Sequence, residues 1–382
     1  MKHHEQVLNL LKTQIGNLAE VKDISDTAKK VANEWVNPVS GGKENINGLV
    51  YGLVQSGKTG VLSVSGAIGA DEGYRTIIIL TSDNDALYAQ TLSRVRQAFP
   101  GMDILAKSDF RDASSFIQRI KSGTCCIVTT KNGSLLDSLI ENFKKGNVKG
   151  LSALIIDDEA DQASLNTKAA NPGGAVSKIN EKISNLRQFF DKNTYLQVTA
   201  TPQALFLQES GHSFRPKFTI LSHPGHDYVG GNDFFDGASS LVREFDISEI
   251  TALSPGAQPA PSMSIPASLL RALDTFMIGA TYKRKKEADQ NCAFLCHVST
   301  LKADHRHIVD LLREYKTKLA AGLKQKQPAM IARLKKAYDD LATTHAGVKG
   351  ASFDKLVEDI EFFSRGITVK LVNGETQLHL EV

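Results

Sequence analysis

The feature that most constrains this chain is a series of short apolar runs separated by longer amphipathic stretches. The runs are Leu49–Tyr51, Thr76–Leu80, Cys125–Val128, Ala153–Ile156 and Tyr195–Val198. Short apolar runs alternating with helical periodicity imply a parallel sheet buried on both faces and crossed over by helices. The expected fold class is therefore α/β. At 382 residues the chain has room for two or three domains of about 150 residues each. With 41% apolar and 23% charged residues it has an ordinary globular balance, which excludes a mainly disordered protein. No apolar run approaches the roughly 18–20 residues of a membrane-spanning helix, and the segment Val7 to Leu18 is charged and amphipathic, unlike a secretory leader. Four cysteines make no disulfide framework, so a reducing, cytoplasmic setting without membrane contact is expected.

Composition shifts divide the chain. Residues 1–47 read as helical, with Asp26–Val36 a helix closed by Asn37-Pro38. Residues 48–215 carry the apolar runs. Residues 216–262 read as a Gly/Pro-rich insertion and linker, in which Ser254–Pro261 holds three of the eleven prolines. Residues 263–382 are helix-rich: Ser268–Tyr282, Lys302–Leu323 and Ala329–Ala342 are amphipathic, Cys292–Leu295 is strand-like, and Val369–Val372 with Gln377–Val382 suggests a hairpin about Asn373-Gly374.

Three motifs carry chemistry. Gly52-Leu53-Val54-Gln55-Ser56-Gly57-Lys58-Thr59 fits G-x4-G-K-[ST], after an apolar run and before a helix-like stretch. Such a loop turns successive backbone N–H groups onto phosphate oxygens, and the following helix aims its positive end at them. Lys58 is placed to reach the β- and γ-phosphates of ATP, and the Thr59 hydroxyl to ligate Mg2+. Gly52, Gln55, Ser56 and Gly57 complete the cradle. The second motif, Asp157-Asp158-Glu159-Ala160-Asp161, ends an apolar run in acids. Its register is ambiguous; Asp158 is favoured for the metal and Glu159 as the base for water. The third, Thr199-Ala200-Thr201-Pro202, also ends an apolar run and is uninformative by itself.

P-loop, D-E-A-D and T-A-T, in that order on successive strands, resemble motifs I, II and III of the superfamily-two DEAD-like helicases and translocases. The resemblance implies a RecA-like P-loop NTPase domain over 48–215, an incomplete second RecA-like domain over 263–382, and a coupling role for Thr199 and Thr201. Segments Ile77–Gln90 and Ile127–Asn132 resemble motifs Ia and Ib. Within this group, Leu154–Asp161, Thr199–Gln203 and Pro224-Gly225-x-x-Tyr228-x-Gly230-Gly231-x-x-Phe234-Phe235 are similar to the Z-one domain family, the putative endonucleases of bacterial restriction and phage-defence loci. That likeness spans roughly Gly48–Val382 and implies DNA and defence proteins as partners. No Q-motif and no Q-x-x-G-R segment is found, and Ser364-Arg365-Gly366 only superficially resembles motif V. The chain thus reads as the N-terminal portion of a larger ATPase that hydrolyses ATP slowly alone. No acid precedes Lys370 at the spacing of a restriction-type nuclease site.

From Thr281 to Lys336 there are 14 Lys and Arg against five acids, in a chain whose net charge is only +3. Lys283, Arg284, Lys285 and Lys286 are the densest part, a candidate DNA-backbone footprint or a solvated helix face. Cys292, Cys296, His297, His305 and His307 fit no zinc template, and His212, His223 and His226 read as loop histidines. The primary expectation is an ATP-hydrolysing DEAD-like motor acting on DNA. The rival is a nucleotide switch that controls assembly with a partner effector without moving on nucleic acid.

Overall fold

The computed structural model describes residues 2–147, 150–162, 164, 178–208, 213–236, 241–256, 264–287 and 291–373. The chain forms two compact units, Met1–Gly230 and Gly231–Val382.

In the first unit each predicted apolar run is a strand. The strands are β1 (Glu44–Gly52), β2 (Thr76–Thr81), β3 (Asp103–Leu105), β4 (Cys125–Thr130), β5 (Ser152–Asp158), β6 (Lys192–Thr199) and β7 (Phe218–Ser222). They form one parallel sheet in the order β3-β4-β2-β5-β6-β1-β7. Helices α1 (His3–Ile15), α2 (Leu18–Glu34), α3 (Lys58–Glu72), α4 (Asp85–Ala98), α5 (Ala113–Ser122), α6 (Gly133–Gly146), α7 (Lys178–Arg187) and the single turn α8 (Gln203–Phe206) surround it. Side-chain carboxyl or amide oxygens start several of them: Asn17, Asn84, Asp112 and Asn132 each accept backbone N–H groups of α2, α4, α5 and α6.

Strand alternation explains the unbroken apolar runs. Ile77 and Ile79, Cys126 and Val128, Leu154 and Ile156, and Leu196 and Val198 enter one core with Val7, Val21, Ala28, Val31, Val61 and Val64. Ile78 and Leu80, Cys125 and Ile127, and Ala153 and Ile155 enter the opposite core with Phe116, Leu136, Phe143 and Ile183. Each strand is covered twice and needs apolar residues at both parities. Helices α1 and α2, read from sequence as a separate leading segment, belong to the first of these cores.

Three expectations are corrected here. Phe218–Ser222, read as part of an insertion, is the edge strand beside β1. Cys292–Leu295, read as strand-like, forms no strand. The second unit contains short turns α9 (Gly231–Phe235) and α10 (Ile250–Leu253), then α11 (Ala267–Lys286), α12 (Lys302–Lys324), α13 (Pro328–Thr344), α14 (Ala346–Lys349) and α15 (Phe353–Ser364). No strand forms among its described residues, so Cys292–Leu295 has no ladder to join. The first arm of the expected hairpin, Val369–Val372, is likewise not a strand, and Gln377–Val382 lies outside the described residues. Its core is helical, built from Leu269, Leu273, Ile278, Leu311, Tyr315, Leu319, Leu334, Leu356 and Ile360. Asp274, fully buried on α11, is held by the Tyr315 hydroxyl at 2.8 Å and by the Arg333 guanidinium.

Candidate nucleotide site

Register places the motifs on one rim of the sheet. Tyr51 lies opposite Thr199, Asp158 opposite Val198, and Gly52 opposite Ser222, so the carboxyl ends of β5, β6, β1 and β7 finish together. Ligands of open α/β sheets bind outside this end of the strands.

The P-loop leaves β1 at Gly52, where a methyl group would sit 2.6 Å from the Ser222 carbonyl oxygen; only glycine fits between the strands there. Gln55 and Gly57 take positive φ, 56° and 86°, and turn the loop into α3. Lys58 opens α3, and its ammonium donates to the carbonyl oxygens of Gly52 at 3.3 Å and Leu53 at 2.7 Å. Burial lowers the Lys58 pKa, opposed by the charges of Asp158, Glu159 and Asp161. The lysine therefore lies within electrostatic reach of the acidic motif. Ser56 is buried, and its hydroxyl has no partner in the protein.

Strand parity separates the acids. Asp158 shares its parity with Leu154 and Ile156, whose core includes Val61, Leu62 and Val64 of α3. Asp157 shares the opposite parity and is fully buried, paired at 3.0 Å with an equally buried Lys131 and accepting a hydrogen bond from the Tyr195 hydroxyl. Burial, then the charge of Glu159, raises the Asp158 pKa, with Lys131 opposing. Glu159 adopts φ 53°, an uncommon left-handed conformation, and its carboxylate accepts from Gln162 Nε2 at 2.6 Å. Asp158 and Thr59 carry oxygen donors, the ligand type that Mg2+ takes.

Asp161 joins the acidic motif to the third. Its two carboxylate oxygens accept from the Thr199 and Thr201 hydroxyls, each at 2.5 Å, and the Thr201 N–H donates to Thr199 Oγ1 at 2.9 Å. The Ala160 N–H donates to the Val198 carbonyl at 3.0 Å. Sequence reasoning missed Lys131. Beyond Asp157, its ammonium donates to the carbonyl oxygens of Asp158 at 2.7 Å and Glu159 at 2.8 Å, so it pins the turn that presents both acids. The available signal was a lysine directly following the last residue of β4, Thr130.

The basic stretch is largely engaged within its own unit. Lys285 pairs with Asp359 at 2.5 Å, the Arg284 guanidinium lies 4.6 Å above the Phe363 ring and the Lys286 ammonium 4.9 Å above Tyr282. Lys283 is exposed. Four successive helical residues span more than three-quarters of a turn, so they share no single face. Arg365 ends α15, exposed and 3.9 Å from Glu361. Among the described residues no group of three or more His, Cys, Asp and Glu side chains is arranged to hold a metal, and no helix is long and apolar enough to cross a membrane. His305 and His307 donate to the carbonyls of Ser299 and Ala252. His212 lies outside the described residues.

The parallel sheet, its order and a P-loop joining β1 to α3 define a RecA-like P-loop NTPase fold. A family model described as the Z1 domain matches residues 268–382, within the helical second unit. No curated protein matches the chain. Among solved structures, the chain is similar to the helicase domain of Pyrococcus furiosus Hef, at 14% identity and a TM-score of 0.35, covering 84% of this chain and 66% of that one. It is also similar to the Aeropyrum pernix ORC2 protein in its ADPNP–ADP complexes, at 13% identity and a TM-score of 0.29, covering 89% and 93%. The chain thus spans just under two thirds of the Hef helicase-domain chain.

Proposed function

We propose that this protein binds ATP with Mg2+ and hydrolyses it, as the motor part of a DEAD-like protein that acts on DNA in bacterial restriction or phage defence. The observation that carries the reading is the shared rim, on which P-loop, acids and threonines meet with Asp161 tying the last two together. Lys58 leaves the Gly52 and Leu53 carbonyls to meet the β- and γ-phosphates, and Gln55, Ser56 and Gly57 supply loop contacts. Thr59 and Asp158 would hold the metal, which would screen phosphate charge. Glu159 orients water and takes its proton. Thr199 and Thr201 follow Asp161, so a change at the acids reaches β6. An arginine finger is worth about 10³–10⁵ in rate, so a steady-state assay in which this chain alone turns ATP over slowly is expected if its second unit supplies none.

Nucleotide titration with steady-state turnover tests this. Lys58→Ala is expected to abolish ATP binding, whereas Glu159→Gln keeps binding and loses turnover. Normal turnover by Glu159→Gln would transfer the base role to Asp158.

The nucleotide-switch reading is favoured by one observation: three of the four clustered cations are already engaged by Asp359, Phe363 and Tyr282. DNA separates the two readings. For a motor, replacing Lys283, Arg284, Lys285 and Lys286 with Gln weakens DNA binding for every sequence and flattens its salt dependence. For a switch, turnover and binding are indifferent to DNA and to these substitutions.

A further inference from the structure

The phosphate end of the site is defined by its acids, and the sheet order then says where the rest of a nucleotide must lie. From β1, the acids are reached through β6 and then β5, so the γ-phosphate faces that side. A nucleotide laid along the P-loop therefore extends its base in the other direction, over the carboxyl end of β7. The segment found there is the strap 223–230.

Three contacts build this end. The Tyr228 hydroxyl donates to the Val54 carbonyl at 2.7 Å, fastening the strap to the P-loop. The Tyr228 ring lies directly on Gly230, where a methyl group would come within 2.2 Å of it. On the opposite flank, Gly225 sits against the Glu20 carboxylate: a methyl group there would lie 2.6 Å from it unless that side chain moved. Glu20 is in the first turn of α2, and Ile24, one turn later, packs on Gly60 in the first turn of α3. The Glu20 turn thus runs from the helix that follows the P-loop to the strap. Val54 and Val229, 62% and 61% exposed, add apolar surface beside the latch.

We infer that the strap 223–230 and the first turn of α2 form the base-binding end of the nucleotide site, taking adenine by stacking on Tyr228 and by donation of its exocyclic amine to Glu20. The chemistry selects adenine over guanine. A carboxylate accepts from the 6-amino group of adenine but repels the 6-oxo group of guanine at the same place. The inference rests on the nucleotide reading above and extends it to a part of the chain that none of the three motifs includes.

The test uses the full chain with Mg2+ and three probes: ATP, GTP and inorganic tripolyphosphate, which has phosphates and no base. Wild-type protein is expected to bind ATP more tightly than either of the others. Tyr228→Ala should weaken ATP by about tenfold or more, the size of one lost base-stacking contact, and leave tripolyphosphate nearly unchanged. Tyr228→Phe, which keeps the ring, should retain the ATP preference over tripolyphosphate, and Glu20→Gln should narrow the gap between ATP and GTP. Melting temperatures show whether each variant is folded, and Tyr228→Phe and Glu20→Gln carry the test if the alanine variant is not. Equal losses for ATP and tripolyphosphate in Tyr228→Ala, or no loss for ATP, would overturn the base site while leaving the phosphate site standing. A wild-type protein that binds neither ATP nor tripolyphosphate would instead remove the nucleotide reading itself.

Discussion

Asp157, Asp158 and Glu159 are consecutive carboxylates that meet three environments within one turn of chain. Asp157 is paired with Lys131 and accepts from the Tyr195 hydroxyl inside the sheet, Asp158 stands at the rim, and Glu159 leaves the strand with positive φ. Removing one member of a buried ion pair strands the other charge, at a cost of about 3–5 kcal/mol, whereas replacing both with apolar groups can be neutral. Lys131→Met should therefore lower stability in urea by about that much, and Lys131→Met with Asp157→Leu should recover most of it. Asp158 has the opposite economy. Its raised pKa means the native state binds a proton more readily than the unfolded chain, so the strain of its charge is fully present above the folded pKa and fades as pH falls through it. Asp158→Asn should raise Tm at pH 7 by a few degrees, an advantage that shrinks as pH falls through the folded Asp158 pKa and so steepens the acid side of the Tm profile, while ending turnover. In the sequence the P-loop and the D-E-A-D acids were legible by spacing alone. The register of the acids was not, because Asp157 and Asp158 end the same apolar run and only the position of α3 tells which parity faces the site. Lys131 was hidden for a related reason: a lysine after a strand usually meets water, and only the fold shows it buried.

At the scale of elements, the apolar runs were readable because double-sided burial leaves no polar position within them. The strands that escaped notice are the two outer ones. β3 has three residues, and β7 exposes Thr219 and Leu221, so neither repeats the signature of the central strands. The false positive at Cys292–Leu295 has the converse cause. Residues Asn291–His297 alternate between exposed and half-buried, with Phe294 and Cys296 against the helical core, a period-two pattern realised without a ladder. β7 is seated on β1 through Gly48, where a methyl group would come within 2.1 Å of the Phe218 ring. Gly48→Ala is expected to destabilise the first unit by about 1–3 kcal/mol in urea, and the added Phe218→Leu change should relieve part of the loss.

Over the whole molecule, two units divide the features described above. The motifs, the rim and the strap lie within Met1–Gly230, while the Z1 match and the basic helices lie within Gly231–Val382. A fragment of residues 1–230 is expected to melt cooperatively and to bind Mg-ATP within about threefold of the full chain, as measured by calorimetry; loss of binding would show that the second unit supplies part of the site. The order of strands also makes the sheet lopsided about the P-loop. On the side of the acids β1 is buttressed by five more strands, but on the side of the strap by the five residues of β7 alone, two of them exposed. Amide exchange should accordingly be slow along β5 and β6 and fast along β7. The site then works like a vice with one fixed jaw and one loose jaw. On the proposed reading, chemistry would happen against the fixed jaw, and the timing of nucleotide entry and departure would belong to the loose one.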